Sequence, residues 1–165
     1  MTGRLLKVGM IIVIVLIALI GIVPFVRQPG KGPLSIVQER DGLVEVREQV
    51  VDNTNRLRLV YGLHPLRMSW KLNQGAQDHS TWMARTLTFE HSTDLVAQMN
   101  RYFDSWNEAG ENIGVFGGDL SELLTALRQS PGHRRNMLKP AYRQMGVGAV
   151  WGEDDRLWLT IWFKG

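Results

Sequence analysis

The sequence predicts an α+β domain preceded by one apolar amino-terminal helix, and three observations predict it. From Val44 to Leu138 apolar side chains recur at helical spacing, interrupted by glycine and proline. From Val147 onward the period changes to strict alternation, in two runs separated by Gly152-Glu153-Asp154-Asp155. Residues 8–26 carry no charge at all. Helices followed by a terminal hairpin indicate helices packed against a small antiparallel sheet.

The amino-terminal element comes first. VGMIIVIVLIALIGIVPFV holds 14 Val, Ile, Leu or Phe residues. As a helix it spans roughly 28 Å, close to the hydrocarbon thickness of a bilayer. At about −0.3 to −0.6 kcal/mol per residue, those side chains favour insertion by roughly 4–8 kcal/mol. The run is too long for the core of a cleaved signal peptide and lacks an Ala-x-Ala site, so residues 8–26 are read as a transmembrane signal-anchor. Residues 1–7 form a short basic tail that places the amino terminus inside. Residues 27–42 read as a linker punctuated by Pro29, Gly30, Gly32 and Pro33, with a turn at Asp41-Gly42. Residues 43–165 form the globular domain.

Within the domain, a first helix covers Val44 to Tyr61 and stops at Gly62. Ser69 caps a second helix that runs to about Leu87. A short third helix carries Leu95, Val96 and Met99. Residues 104–118 are rich in Gly and Asn and read as a loop with room for a short extended piece. A fourth helix covers Ser121 to Ser130, and Pro131 starts a further helical turn through Leu138.

Charge narrows the function classes. Residues 1–33 hold four bases and no acid, so of the chain's 19 bases 15 remain against 16 acids in residues 34–165. The domain is near neutral, and no nucleic-acid partner is expected. With no cysteine, disulfides and thiolate metal sites are excluded.

Several ordered fragments resemble the bacterial, cysteine-free branch of the CAP (SCP-like) superfamily of cysteine-rich secretory, antigen 5 and pathogenesis-related 1 proteins. They are Asn55-x2-Arg58, Gly62-Leu63-His64-Pro65-Leu66, Phe89-Glu90-His91-Ser92 and Gly110-Glu111-Asn112-Ile113. Ser130-Pro131-Gly132-His133-Arg134-Arg135-Asn136-Met137-Leu138, Gly146-Val147-Gly148 and Trp158-x-Thr160-x-Trp162-Phe163 complete the series. The resemblance spans residues 45–165 and implies an α-β-α sandwich, secreted or surface-exposed, with a cleft that binds a divalent metal in some relatives. It maps the two cleft histidines to His91 and His133 and one acid to Glu111. The second family acid falls where this chain has Leu127-Arg128-Gln129-Ser130.

His91, Glu111 and His133 lie 20 and 22 residues apart and meet only if the fold gathers them. Two imidazoles and a carboxylate form a set that zinc or another divalent cation accepts, with water as fourth ligand. The same trio also serves as a hydrogen-bond network in which the acid orients a histidine. Ser92 and Asn112 are expected to fix the neighbouring imidazole and loop, and Trp106 to touch a ligand. His79 reads as a packed helix residue and His64 as a turn residue. Asn136 and Arg134 are expected to tie the short helix to the sheet. His-Glu-x-x-His, Gly-x-Ser-x-Gly and phosphate-loop motifs are absent; a Ser92–His133–Glu111 triad can be drawn only on paper.

Together these features describe a membrane-anchored domain displayed outside a bacterial cell. It is expected to be a non-enzymatic binding or interaction module whose cleft takes a lipid, glycan or peptide and needs no cofactor. The alternative is a divalent-metal-dependent hydrolase using the same cleft.

Overall fold

The computed structural model describes residues 36–165. The basic tail, the apolar stretch 8–26 and the first part of the linker lie outside the described residues. Among those described, no helix is long and apolar enough to cross a membrane. In chain order the elements are α1 (Ile36–Val60), β1 (Arg67–Met68), α2 (Trp70–Thr86), α3 (Leu95–Tyr102), β2 (Ala109–Phe116), α4 (Leu120–Gln129), α5 (Pro131–Met137), β3 (Gln144–Trp151) and β4 (Leu157–Lys164).

α1 starts earlier than its periodicity suggests. Asp41-Gly42, expected to turn, lies inside the helix, and a Cβ at Gly42 would meet nothing within 4 Å. That glycine lowers helix propensity without breaking the helix. Gly62 does terminate it: its φ of 66° is left-handed, and Leu63 N–H closes back onto Arg58 C=O at 3.0 Å. Ser69 caps α2 as expected, its side chain accepting from Leu72 N–H.

The sheet departs from expectation in two ways. It has four strands in the order β1-β3-β4-β2, and β1 runs parallel to β3, so it is mixed where an antiparallel sheet was expected. β2 occupies the segment read as a Gly- and Asn-rich loop. All eight of its residues pair with β4, from Ala109↔Lys164 to Phe116↔Leu157. Its glycines serve close approach. A Cβ at Gly110 would sit 2.2 Å from the Tyr142 hydroxyl, and one at Gly114 2.9 Å from Leu123. Strand propensity was outweighed by tertiary pairing.

Helices cover both sheet faces. Val50, Leu123, Leu124, Leu127 and Met137 pack with Met145, Val147, Leu159, Ile161 and Phe163 on one side. On the other, α2 and α3 bury Leu72, Ala76, Leu95 and Met99 against Trp162. The α2 layer lies so close that a Cβ on Gly146 would be 2.2 Å from the Leu72 backbone, and one on Gly148 2.2 Å from that of Ala76. Gly148→Ala is therefore expected to destabilise the domain by roughly 3 kcal/mol, as an overpacked core does. An unchanged urea midpoint would show that the layers have slack.

β1 covers only Gln144 and Met145 of β3. Beyond it, side chains act as a substitute strand. Val147 N–H donates to Asn73 Oδ1 at 2.8 Å, and Ala149 N–H to Gln77 Oε1 at 3.0 Å. Gln77 Nε2 returns a bond to Ala149 C=O at 3.0 Å, and Arg47 Nε donates to Val147 C=O at 3.2 Å. One turn of helix separates Asn73 from Gln77, matching two residues of strand and blocking edge-to-edge association.

Candidate functional site

The site is built around a carboxylate that β2 carries into the interior. Glu111 is 7% exposed, and four donors surround it. Oε1 accepts from His91 Nδ1–H and from Ser92 N–H, each at 2.8 Å. Oε2 accepts from the Ser92 hydroxyl at 2.5 Å and from Trp162 Nε1–H at 2.9 Å. His79 Nε2 stands 3.9 Å from Oε2. Burial alone would raise the pKa of this carboxyl. The His91 bond, the His79 charge and both Ser92 bonds outweigh it and hold the group below its usual value. Glu111 is thus an ionised buried anion with its lone pairs in use.

The local sequence explains the convergence. The loop after α2 returns His91 and Ser92 over β2, and Gly75 opens α2 beneath Trp162: a Cβ there would lie 2.0 Å from the indole ring. His133 arrives from α5, locked to β2 by Asn112. The Asn112 side chain donates to His133 C=O at 3.0 Å and accepts from Asn136 Nδ2 at 2.9 Å, while Asn136 also donates to Glu111 C=O at 3.0 Å.

His133 is the opposite of Glu111. Its Nδ1 is buried without a hydrogen-bond partner. Burial, and then the neighbouring His91, push its pKa down from 6.5 to about 4. Its imidazole is neutral at physiological pH. The native state therefore refuses a proton that the unfolded chain accepts below about pH 6.5. Stability is full above that pH and falls as pH drops toward 4, by roughly 2–3 kcal/mol. A His133→Asn variant should show a flatter urea-stability profile across that window, and an equally steep one would remove His133 as the cause.

The structure brings His91, Ser92, Glu111, Asn112 and His133 together. Around Glu111 the bonds are those of a hydrogen-bond network. Among the described residues no three His, Asp or Glu side chains gather with metal-binding geometry. The physical reason is that both Glu111 oxygens already accept two bonds each, so the carboxylate orients His91 from behind. The paper triad also dissolves, because the Ser92 hydroxyl donates to Glu111 and not to His133. Trp106 packs beside the Leu72–Trp162 cluster and donates to Asn100 Oδ1 at 2.9 Å; Trp162 is the indole on Glu111. Arg134 ties α5 to α1 and α4 through Tyr61 and Arg128 C=O, whereas Asn136 does reach the sheet.

Sequence reasoning missed Trp162 and the proximity of His79. Alternation in β4 places Trp162 on the same face as Trp158, which is a usable signal. His79 is buried as a packed helix residue should be, donating Nε2–H to Glu90 C=O at 3.0 Å and stacking on Trp82 at 5.5 Å. Its distance from Glu111 depends on helix placement and has no sequence signal.

Helices on both faces of a mixed sheet, with two histidines and an acid at the end of β2, define a CAP-type domain. The chain belongs to the CAP family, described as the cysteine-rich secretory protein family, whose model matches residues 51–163. It is 32% identical over 115 residues to the uncharacterized protein YkwD of Bacillus subtilis, a match covering 67% of this chain and 44% of that one. It is 27% identical over 117 residues to the uncharacterized membrane protein YlbC of the same organism, covering 68% and 32%. An extracellular SCP-domain protein of Bacillus anthracis shares the fold with a TM-score of 0.69 and 26% identity, over 81% of this chain and 44% of that one. The chain thus spans less than half the length of these relatives.

Proposed function

We propose that this protein is a membrane-anchored CAP domain displayed outside the cell, whose His91–His133 cleft binds an envelope lipid, glycan or peptide without chemically changing it. The observation that carries the reading is the use of Glu111. A carboxylate filled by four donors is a fixed counter-charge that sets the tautomer of His91 and leaves His91 Nε2 free. Beside it, His133 is held neutral by burial and by His91, so the pair carries no second positive charge into the cleft. The Ser92 hydroxyl is committed to Glu111, so neither imidazole has a serine nucleophile held against it in this arrangement. The basic tail, the apolar stretch 8–26 and the resemblance to a protein named as a membrane protein support the anchor. The extracellular relative supports display outside.

Two imidazoles alone offer zinc half of its usual four ligands, which weakens the metal-dependent alternative. The test combines native mass spectrometry of the purified full chain with a zinc titration. Co-purified ligand of unchanged mass, lost in a His91→Ala/His133→Ala variant, is the expected result, with little change in melting temperature at saturating zinc. A large zinc stabilisation that the double variant abolishes would replace this reading with the metal-dependent hydrolase.

A further inference from the structure

The end of the sheet opposite the hairpin turn gathers cations that the site does not use. Arg67 pairs across the sheet with Gln144, and Gln144 with Lys164, so the three side chains share one face. It is the α2 face, because Gly146, two residues from Gln144, lies against Leu72. Lys71, in the first turn of α2, and Lys164 stand 5.8 and 5.1 Å from the centre of the same ring, Phe103. Among the described residues none of these three cations, Arg67, Lys71 and Lys164, forms an ion pair; Asp104 follows Phe103 in the chain, and Glu108 is already taken by Lys139 at 2.7 Å. The first turn of α2 holds no acid.

One apolar side chain stands out beside these charges: Trp70, next in the chain to Lys71, is 66% exposed although it starts a well-packed helix. In a domain with 15 bases against 16 acids, such a one-signed cluster is a local asymmetry. Cations next to an exposed indole match an anionic bilayer surface, which offers phosphates to the first and an acyl boundary to the second. An acidic peptide or polymer would satisfy the charges and leave Trp70 in water.

We propose that Arg67, Lys71 and Lys164, with Trp70, dock the domain onto the anionic lipid surface of the membrane that anchors it. This rests on the anchored reading for its proximity to lipid. The experiment reconstitutes the full chain in vesicles of phosphatidylglycerol and phosphatidylcholine in equal parts, or of phosphatidylcholine alone, with brominated acyl chains as quencher. The emission of Trp70 is read as the difference between the native chain and Trp70→Phe. Quenching of Trp70 is expected in the anionic vesicles, with loss in neutral vesicles and at high salt. Lys71→Gln/Lys164→Gln should lower the ratio of docked to undocked chains about thirtyfold, at roughly fivefold per cation. A chain that floats with the vesicles while Trp70 stays unquenched overturns docking alone. A chain that floats with neither vesicle overturns docking and anchor together.

Discussion

Replacing Glu111 by glutamine is expected to destabilise the domain by roughly 3–5 kcal/mol, a large part of the total of about 5–15 kcal/mol on which a domain of this size depends. The carboxylate receives four hydrogen bonds, from His91, twice from Ser92 and from Trp162. An amide has one oxygen to accept with; its NH2 can donate to the Ser92 hydroxyl but not to Ser92 N–H or Trp162 Nε1–H, which only donate. One of those two buried donors therefore loses its partner at a cost of about 1–3 kcal/mol, and the bonds that remain lose their charge-assisted strength. The change also frees the His91 ring, so ligand capture should fall with stability. Urea unfolding with and without captured ligand measures both. A loss below about 1 kcal/mol would show that the buried anion is not what holds the loop over β2.

Removing the guanidinium of Arg58 is expected to have an effect of similar size through a different mechanism. Arg58 is fully buried, yet its partners are all backbone carbonyls. It donates to His64 C=O at 2.8 Å, Met137 C=O at 2.8 Å, Lys139 C=O at 3.0 Å and Tyr142 C=O at 3.4 Å. Burial, reinforced by Arg143, holds its pKa below the ordinary arginine value, and the group stays charged because a guanidinium starts far above physiological pH. Arg58→Met removes the desolvation cost of the cation and takes the side-chain donor from the His64 and Met137 carbonyls, while Lys139 C=O keeps Tyr142 N–H and Tyr142 C=O keeps Arg143, for a net loss of roughly 3–5 kcal/mol. Arg58→Lys keeps the charge and loses the fork, and should cost about 2 kcal/mol. Because Met137 and Lys139 close α5, both variants should also loosen His133 and weaken ligand capture. If Lys and Met prove equally harmful, the geometry of the fork matters and its charge does not.

Asn55 and Arg58 also show where sequence reading stops. Their spacing marked a motif, but its purpose is visible only in three dimensions. Asn55 completes a two-bond pair with Leu66, accepting from its N–H at 2.7 Å and donating to its C=O at 3.0 Å, while Arg58 collects carbonyls up to 84 residues away. The Gly146-Val147-Gly148 fragment behaved likewise. It was readable as a signature, and its reason is the approach of the Leu72 and Ala76 backbone. β2 was legible only as a short extended piece within a loop, since Gly110, Asn112 and Gly114 suit a loop and become a full strand because β4 supplies every partner.

By itself the sequence determined the α+β class, the helix stop at Gly62, the cap at Ser69 and the terminal hairpin, and its ordered motifs named His91, Glu111 and His133 as candidate site residues. Each depends on local periodicity, on one backbone conformation or on an ordered motif, and all three can be read along a line. Only the tertiary structure decided that β1 makes the sheet mixed, that Asn73 and Gln77 finish its edge, and that Glu111 faces donors. The reason is that a carboxylate's role depends on which groups reach its two oxygens, and here Trp162 comes from 51 residues away. Sequence placed an acid beside two histidines; burial and four hydrogen bonds made it the anchor of one of them.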